Sequence, residues 1–205
     1  MDVLEAIRNR RTIGLSHGEV SPEILRELVE AATWAPNHKL TEPWRFTILT
    51  GDARAQLGRV WAETAAQSVE PDARERFIAA EARKPLRAPT LVIVSTRTDA
   101  NPVCAEEDLT ATAAAVQNLL LAAHAKGLSA AWKTGKIIYD AGVKSFLGLA
   151  PDDRIVAIVY LGTTADDEAP VRRRDVDGVM HYIDGARFAA TIPAAAVAES
   201  SAAWD

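Results

Sequence analysis

Cys104 is the only cysteine among 205 residues, so no disulfide can close within the chain. That usage fits a reducing compartment. The histidines His17, His38, His124 and His181 lack metal-ligand spacing, and HExxH and CxxC are absent, which excludes the common zinc patterns and predicts no metal site. There is no GxGxxG after a strand and no GxxxxGK[ST], so neither a dinucleotide-binding fold nor a phosphate loop is supported. Without a GxSxG elbow a hydrolase triad has no anchor. The longest apolar stretch, Ala113 to Ala125, is interrupted by Gln117, Asn118 and His124 and is too short and too polar to span a bilayer. The start, MDVLEAIRNRR, lacks the apolar core of a signal peptide. These absences predict a cytoplasmic protein with no membrane partner. A net charge of −5, with bases scattered outside Arg8–Arg11 and Arg172–Arg174, argues against nucleic acid.

What is present is an ordinary globular composition, 48% hydrophobic and 25% charged, in a length that supports one real core. Val3, Leu4 and Ile7 share helical spacing, predicting a helix over 2–10. Ser21-Pro22-Glu23 offers a cap, a first-turn proline and an acid for a second helix that must end by Ala35. Arg45–Thr50 reads as a strand, and 53–67 and 72–83 as helices. Thr90–Thr96 reads as a buried strand. Glu106–Lys126 is the strongest helix, opening on acids and closing at Gly127. Ser129–Thr134 and Arg154–Thr163 read as strands, 139–147 as a helix. The pattern predicts an α+β fold, a sheet flanked by helices. One domain is expected over 1–188, followed by a partly disordered tail over 189–205 that is poor in large apolar residues.

The segment Ala35–Phe46, APNHKLTEPWRF, follows no secondary-structure period. Two prolines forbid a continuous helix, and the donors around one tryptophan make it expensive to order unless it holds something. Two further clusters stand beside it. Arg8-Asn9-Arg10-Arg11-Thr12 pairs guanidinium forks with a hydroxyl, a phosphate-binding combination, although helix-end charges complementing the dipole would look the same. Trp132-Lys133-Thr134-Gly135 puts a cation and a hydroxyl at a strand end, a common place for binding residues, although a core tryptophan and a surface lysine would share that spelling. Arg172-Arg173-Arg174 is either a second clamp or a solvated run. Cys104, among acids, makes a poor nucleophile.

In this order, NRRT, APNHKLTEPWRF and AAWKTG resemble the FMN-dependent nitroreductase family, and within it the small YdjA-like branch, over Asp2 to Tyr182. The resemblance implies a nitroreductase-like mixed β-sheet flanked by helices, in an intertwined homodimer with FMN at the subunit interface. It implies that Arg10, Arg11 and Thr12 hold the FMN phosphate and ribityl chain. Asn37, His38 and Leu40, with Trp34 beside them, would reach the flavin from the other subunit. Trp132, Lys133 and Thr134 would line the ring, and Arg173, or Arg172 or Arg174 in its place, would be a second phosphate ligand. Relatives often have arginine where this chain has Lys133, which keeps the charge without the planar fork. The implied activity is hydride transfer from NAD(P)H through flavin N5 to nitroaromatics, quinones or similar flat acceptors in a ping-pong cycle, with no obligatory catalytic acid or base from the protein. Two alternatives share the scaffold: a flavin dehydrogenase or desaturase with one natural substrate, and an FMN-storage protein whose lid would be Gln67–Arg87.

Overall fold

The structure, a computed structural model, describes residues 1–12, 16–165 and 176–180. The chain divides into two units, Met1–Ala169 and Pro170–Asp205. The first holds a four-stranded sheet with helices on both faces. In the second, the described residues form one 3₁₀ turn, Val176–Gly178. The domain boundary expected at 188 and the tail 189–205 lie outside the described residues.

The helices are α1 (Val3–Asn9), α2 (Pro22–Thr33), α3 (Asp52–Ala65), α4 (Pro71–Ala82), α5 (Pro102–Ala125) and α6 (Ala141–Phe146). The strands are β1 (Ser16–His17), β2 (Trp44–Leu49), β3 (Thr90–Thr96), β4 (Ser129–Lys133), β5 (Arg154–Gly162) and β6 (Thr164–Ala165). The main sheet has the order β2-β3-β5-β4, and β1 pairs with β6 in a separate ribbon. All its described pairings are antiparallel. The parallel pairing that a mixed sheet requires is not among the described residues.

Side-chain alternation sends the central strands into two cores. Val92 and Val94 of β3 face α2 and α5, whose Leu25, Leu28, Ala32, Ala115, Leu119 and Ala123 complete one layer. Leu91 and Ile93 face the other way, against Leu57 of α3 and Val143 of α6. With both faces covered, β3 is buried at every position.

Helix boundaries follow from capping. The Ser21 side chain accepts from Ile24 N at 3.4 Å and Pro22 occupies the first turn of α2. Helix α5 starts at Pro102, not at Glu106, because Asn101 caps it, accepting from Val103 N at 2.9 Å. The acids Glu106 and Glu107 therefore follow the first turn. Gly127, at φ 74°, closes α5, with its N–H on the His124 carbonyl and that of Leu128 on Ala123.

One irregularity lies in β5. Val94 pairs with Ala157 and Ser95 with Ile155, so Val156 is an extra residue in the strand. This bulge turns both Val156 and Ala157 toward the α5 face.

Candidate functional site

Pro36 ends α2, and the segment that follows is strained. Lys39, Leu40 and Glu42 have φ of 53°, 53° and 44°, the left-handed region that residues with a Cβ avoid. Specific bonds hold it there. Glu42 N donates to Asn37 Oδ1 at 3.0 Å. Arg45 Nη1 donates to the carbonyls of Glu42 and Trp44, at 3.1 and 2.6 Å. Thr41 Oγ1 donates at 2.6 Å to the carboxylate of Asp108, buried on α5. The result is a fixed projection: Leu40 is 82% exposed and Trp34 81%. His38 is also exposed, whereas Asn37 is half-buried with its side-chain oxygen spent on the loop. Pro36, Asn37 and His38 line a cavity of about 360 Å³ against Thr110, Ala111 and Ala114 of α5.

The β4 end divides its residues between faces. Trp132 packs toward α5, and its indole N–H donates at 3.1 Å to the carbonyl of Val156, the bulge residue. Lys133 lies on the opposite face. With Thr134 and Gly135 it borders a cavity of about 460 Å³, walled by Trp61 of α3, Phe77 and Glu81 of α4, and Ile158 and Tyr160 of β5. Lys84, Arg87 and Lys136 complete a cationic rim. A second cavity, of about 480 Å³, lies against Thr134 and Gly135 and is lined by Leu109, Tyr139, Lys144, Arg154 and Val156.

Within the first cavity, Glu81 is a buried carboxylate. It accepts from Trp61 Nε1 at 2.7 Å and pairs with Lys84. Burial pushes its pKa up, but the bonds from Lys84 and Trp61 and the charges of Lys84 and Arg87 outweigh burial and hold it below the ordinary value. Burial pushes the Tyr160 hydroxyl up, with Arg87 opposing and Glu81 reinforcing. Both groups therefore sense one local field.

The arginine cluster follows α1. Arg11 Nη1 turns back on the carbonyls of Arg8 and Arg10, at 2.6 and 3.1 Å. Arg10 Nη1 lies 3.5 Å from Thr12 Oγ1. The Arg10 guanidinium and the Thr12 hydroxyl are thus adjacent, while that of Arg11 is held on backbone carbonyls, and the three residues border none of these three cavities. Arg172, Arg173 and Arg174, as well as His181, lie outside the described residues. Lys133 and Thr134 meet at one cavity, and Asn37 and His38 at another. Trp61, Glu81, Lys84, Arg87 and Tyr160 escape the motif reading. Their only sequence trace is that Glu81, Lys84 and Arg87 fall at three-residue spacing inside the candidate lid Gln67–Arg87; their meeting with Trp61 and Tyr160 is tertiary. Among the described residues no group of His, Cys, Asp or Glu could hold a metal ion, and no helix is long and apolar enough to cross a membrane.

Fold and cavity together define an α+β domain with a cavity, part aromatic and part cationic, beside the end of β4. The family model described as the nitroreductase family matches residues 7–163. YfhC of Bacillus subtilis (strain 168), named as a candidate NAD(P)H nitroreductase, is 35% identical over 173 residues, covering 83% of this chain and 88% of YfhC. YdjA of Escherichia coli (strain K12), similarly named, is 30% identical over 165 residues, covering 80% and 88%. The crystal structure of a candidate nitroreductase from Desulfovibrio desulfuricans in complex with FMN superposes with a TM-score of 0.66 at 30% identity, covering 90% of this chain and 98% of that one. This chain belongs to the nitroreductase family.

Proposed function

We propose that this protein is a cytoplasmic FMN-dependent oxidoreductase that uses NAD(P)H to reduce nitroaromatics, quinones or similar flat acceptors. The observation that carries the reading is the cavity at the Lys133-Thr134-Gly135 turn, in a chain of this family whose relative from Desulfovibrio desulfuricans was solved with FMN.

The residues present fit that cofactor. A volume of about 460 Å³ is within the range of small-molecule sites. Trp61, Phe77 and Ile158 offer apolar cover for a ring, and Lys133 and Lys84 offer cations near it. The FMN phosphate, carrying nearly two negative charges, needs arginine forks and a hydroxyl; in this reading Arg10 and Thr12, adjacent to each other, and Arg11 provide them. Asn37, His38 and Leu40, with Trp34, reach the ring from across a homodimer interface. Trp132, on the opposite face of β4, does not border this cavity; its part is to anchor the strand end through its bond to Val156.

When bound, FMN supplies the redox chemistry, two-electron transfer from the nicotinamide through N5 and on to the acceptor in a ping-pong cycle. The protein's part is to seat the ring, exclude water and set the local charge. No side chain is assigned as acid or base.

The visible spectrum of the purified protein tests this reading. Flavin bands near about 370 and about 450 nm that bleach with NADH or NADPH under anaerobic conditions are expected. Bands that neither donor bleaches would favour the storage alternative. No flavin, and none taken up from added FMN, would sink the proposal. Arg10→Ala is expected to weaken FMN binding at least about tenfold, as loss of a charge-assisted phosphate contact should; an unchanged dissociation constant would remove Arg10 from the clamp.

A further inference from the structure

We propose that Glu81 is a positioning residue that sets the charge of the cavity wall and so lowers the reduction potential of the flavin seated there; this rests on the flavin reading above. Glu81 stands in the last turn of α4, buried, with its carboxylate on Trp61 Nε1 at 2.7 Å and on the Lys84 ammonium. A carboxylate is expensive to bury unless it is paired. Here it is paired from two elements, α3 through Trp61 and the turn after α4 through Lys84. The same cavity carries Arg87, Lys133 and Lys136. Among the described residues that line the cavity Glu81 is the one carboxylate, and it offsets Lys84 while fixing where the ammonium points.

Reducing a flavin adds negative charge to the ring. Cations in the wall favour that, and a fixed carboxylate opposes it. Removing the Glu81 charge leaves Lys84 uncompensated, so the reduced cofactor is held more tightly relative to the oxidised one. Removing Lys84 does the opposite. The two substitutions therefore move one observable in opposite directions, which a general loosening of the cavity would not do.

The test uses the FMN-loaded protein and its Glu81→Gln and Lys84→Gln variants. Midpoint potentials come from dye equilibration, and the FMN dissociation constant from fluorescence. Glu81→Gln is expected to shift the ratio of reduced to oxidised cofactor at fixed poise about tenfold toward reduced, an upward shift of about 30 mV for a two-electron couple. Lys84→Gln should shift it downward. Potentials in both variants equal to that of the unaltered protein would overturn the role of Glu81 while leaving the flavin site intact. If Glu81→Gln does not accumulate folded, Lys84→Gln decides alone: a fall supports the proposal, and no shift or a rise overturns it. Failure of the unaltered protein to take up FMN would overturn the flavin reading, and this inference with it.

Discussion

Asp108 bears on the motif loop from outside it. Its carboxylate, buried on α5, accepts the Thr41 hydroxyl, and that bond holds the stretch Lys39–Glu42, left-handed at Lys39, Leu40 and Glu42, against the helix. Each left-handed residue with a Cβ costs about 1–2 kcal/mol, so the loop keeps its shape only while such anchors hold. Thr41→Val should leave the carboxylate without this donor and destabilise the protein by about 1–3 kcal/mol, read as a lower denaturant midpoint. An unchanged midpoint would mean that the loop is held by Asn37 and Arg45 alone. Glu81 predicts a pH effect of defined sign. Its pKa is lower folded than unfolded, so its stabilisation is present above the ordinary carboxylate range and is lost as pH falls through the folded value. The stability advantage of the native chain over Glu81→Gln should therefore shrink as pH falls from the ordinary carboxylate range through the lower folded value. A difference that grew on acidification would contradict the assigned pairing.

Among the elements, α3 and α4 approach each other closely at Gly58. A Cβ there would meet the Ala82 carbonyl oxygen at 2.2 Å, a backbone atom that cannot rotate aside. Gly58 lies one turn before Trp61, and Ala82 follows Glu81, so this close approach brings the indole to the carboxylate. Gly58→Ala should force the helices apart and destabilise by about 1–3 kcal/mol, as overpacking does. It should also weaken the Trp61–Glu81 bond, visible as a change in tryptophan fluorescence. Full retention of both signals would show that α4 can shift without cost. The β5 bulge acts similarly at the other wall. By inserting Val156 it gives Trp132 a carbonyl to bond, and that anchors the turn carrying Lys133 and Thr134.

For the whole molecule the exposed apolar residues are informative. Val3, Leu4 and Ile7 of α1 are more than half exposed, and Trp34 and Leu40 more than four-fifths. Side chains of this size are candidates for burial against a partner, and a second copy of this chain is the partner the flavin reading requires. Sedimentation should give twice the 22.1 kDa chain mass. Leu40→Glu should shift it toward the monomer and weaken FMN binding together, because one loop serves both. A monomeric native protein with full FMN affinity would refute the shared site.

Local chemistry determined much of this protein. Ser21-Pro22, Gly127 and the uninterrupted apolar run Thr90–Thr96 specify a helix start, a helix stop and a doubly covered strand, because caps and periodicity act within a few residues of themselves. The motif Ala35–Phe46 was legible as a special loop for the same reason: its prolines forbid a helix. Helix α5 starts one turn before Glu106 because the Asn101 side chain caps it, whereas acids favour any position in the early turns. What only the tertiary structure decided is how residues distant in sequence converge. Nothing in Glu81 predicts Trp61, since the two meet only where Gly58 lets α3 and α4 close. Nothing in Thr41 predicts Asp108, whose carboxylate becomes an anchor only once α5 buries it beside the loop. Burial and mutual approach are properties of the packed chain, and they turn a lysine at a strand end and a glutamate in a helix into two walls of one cavity.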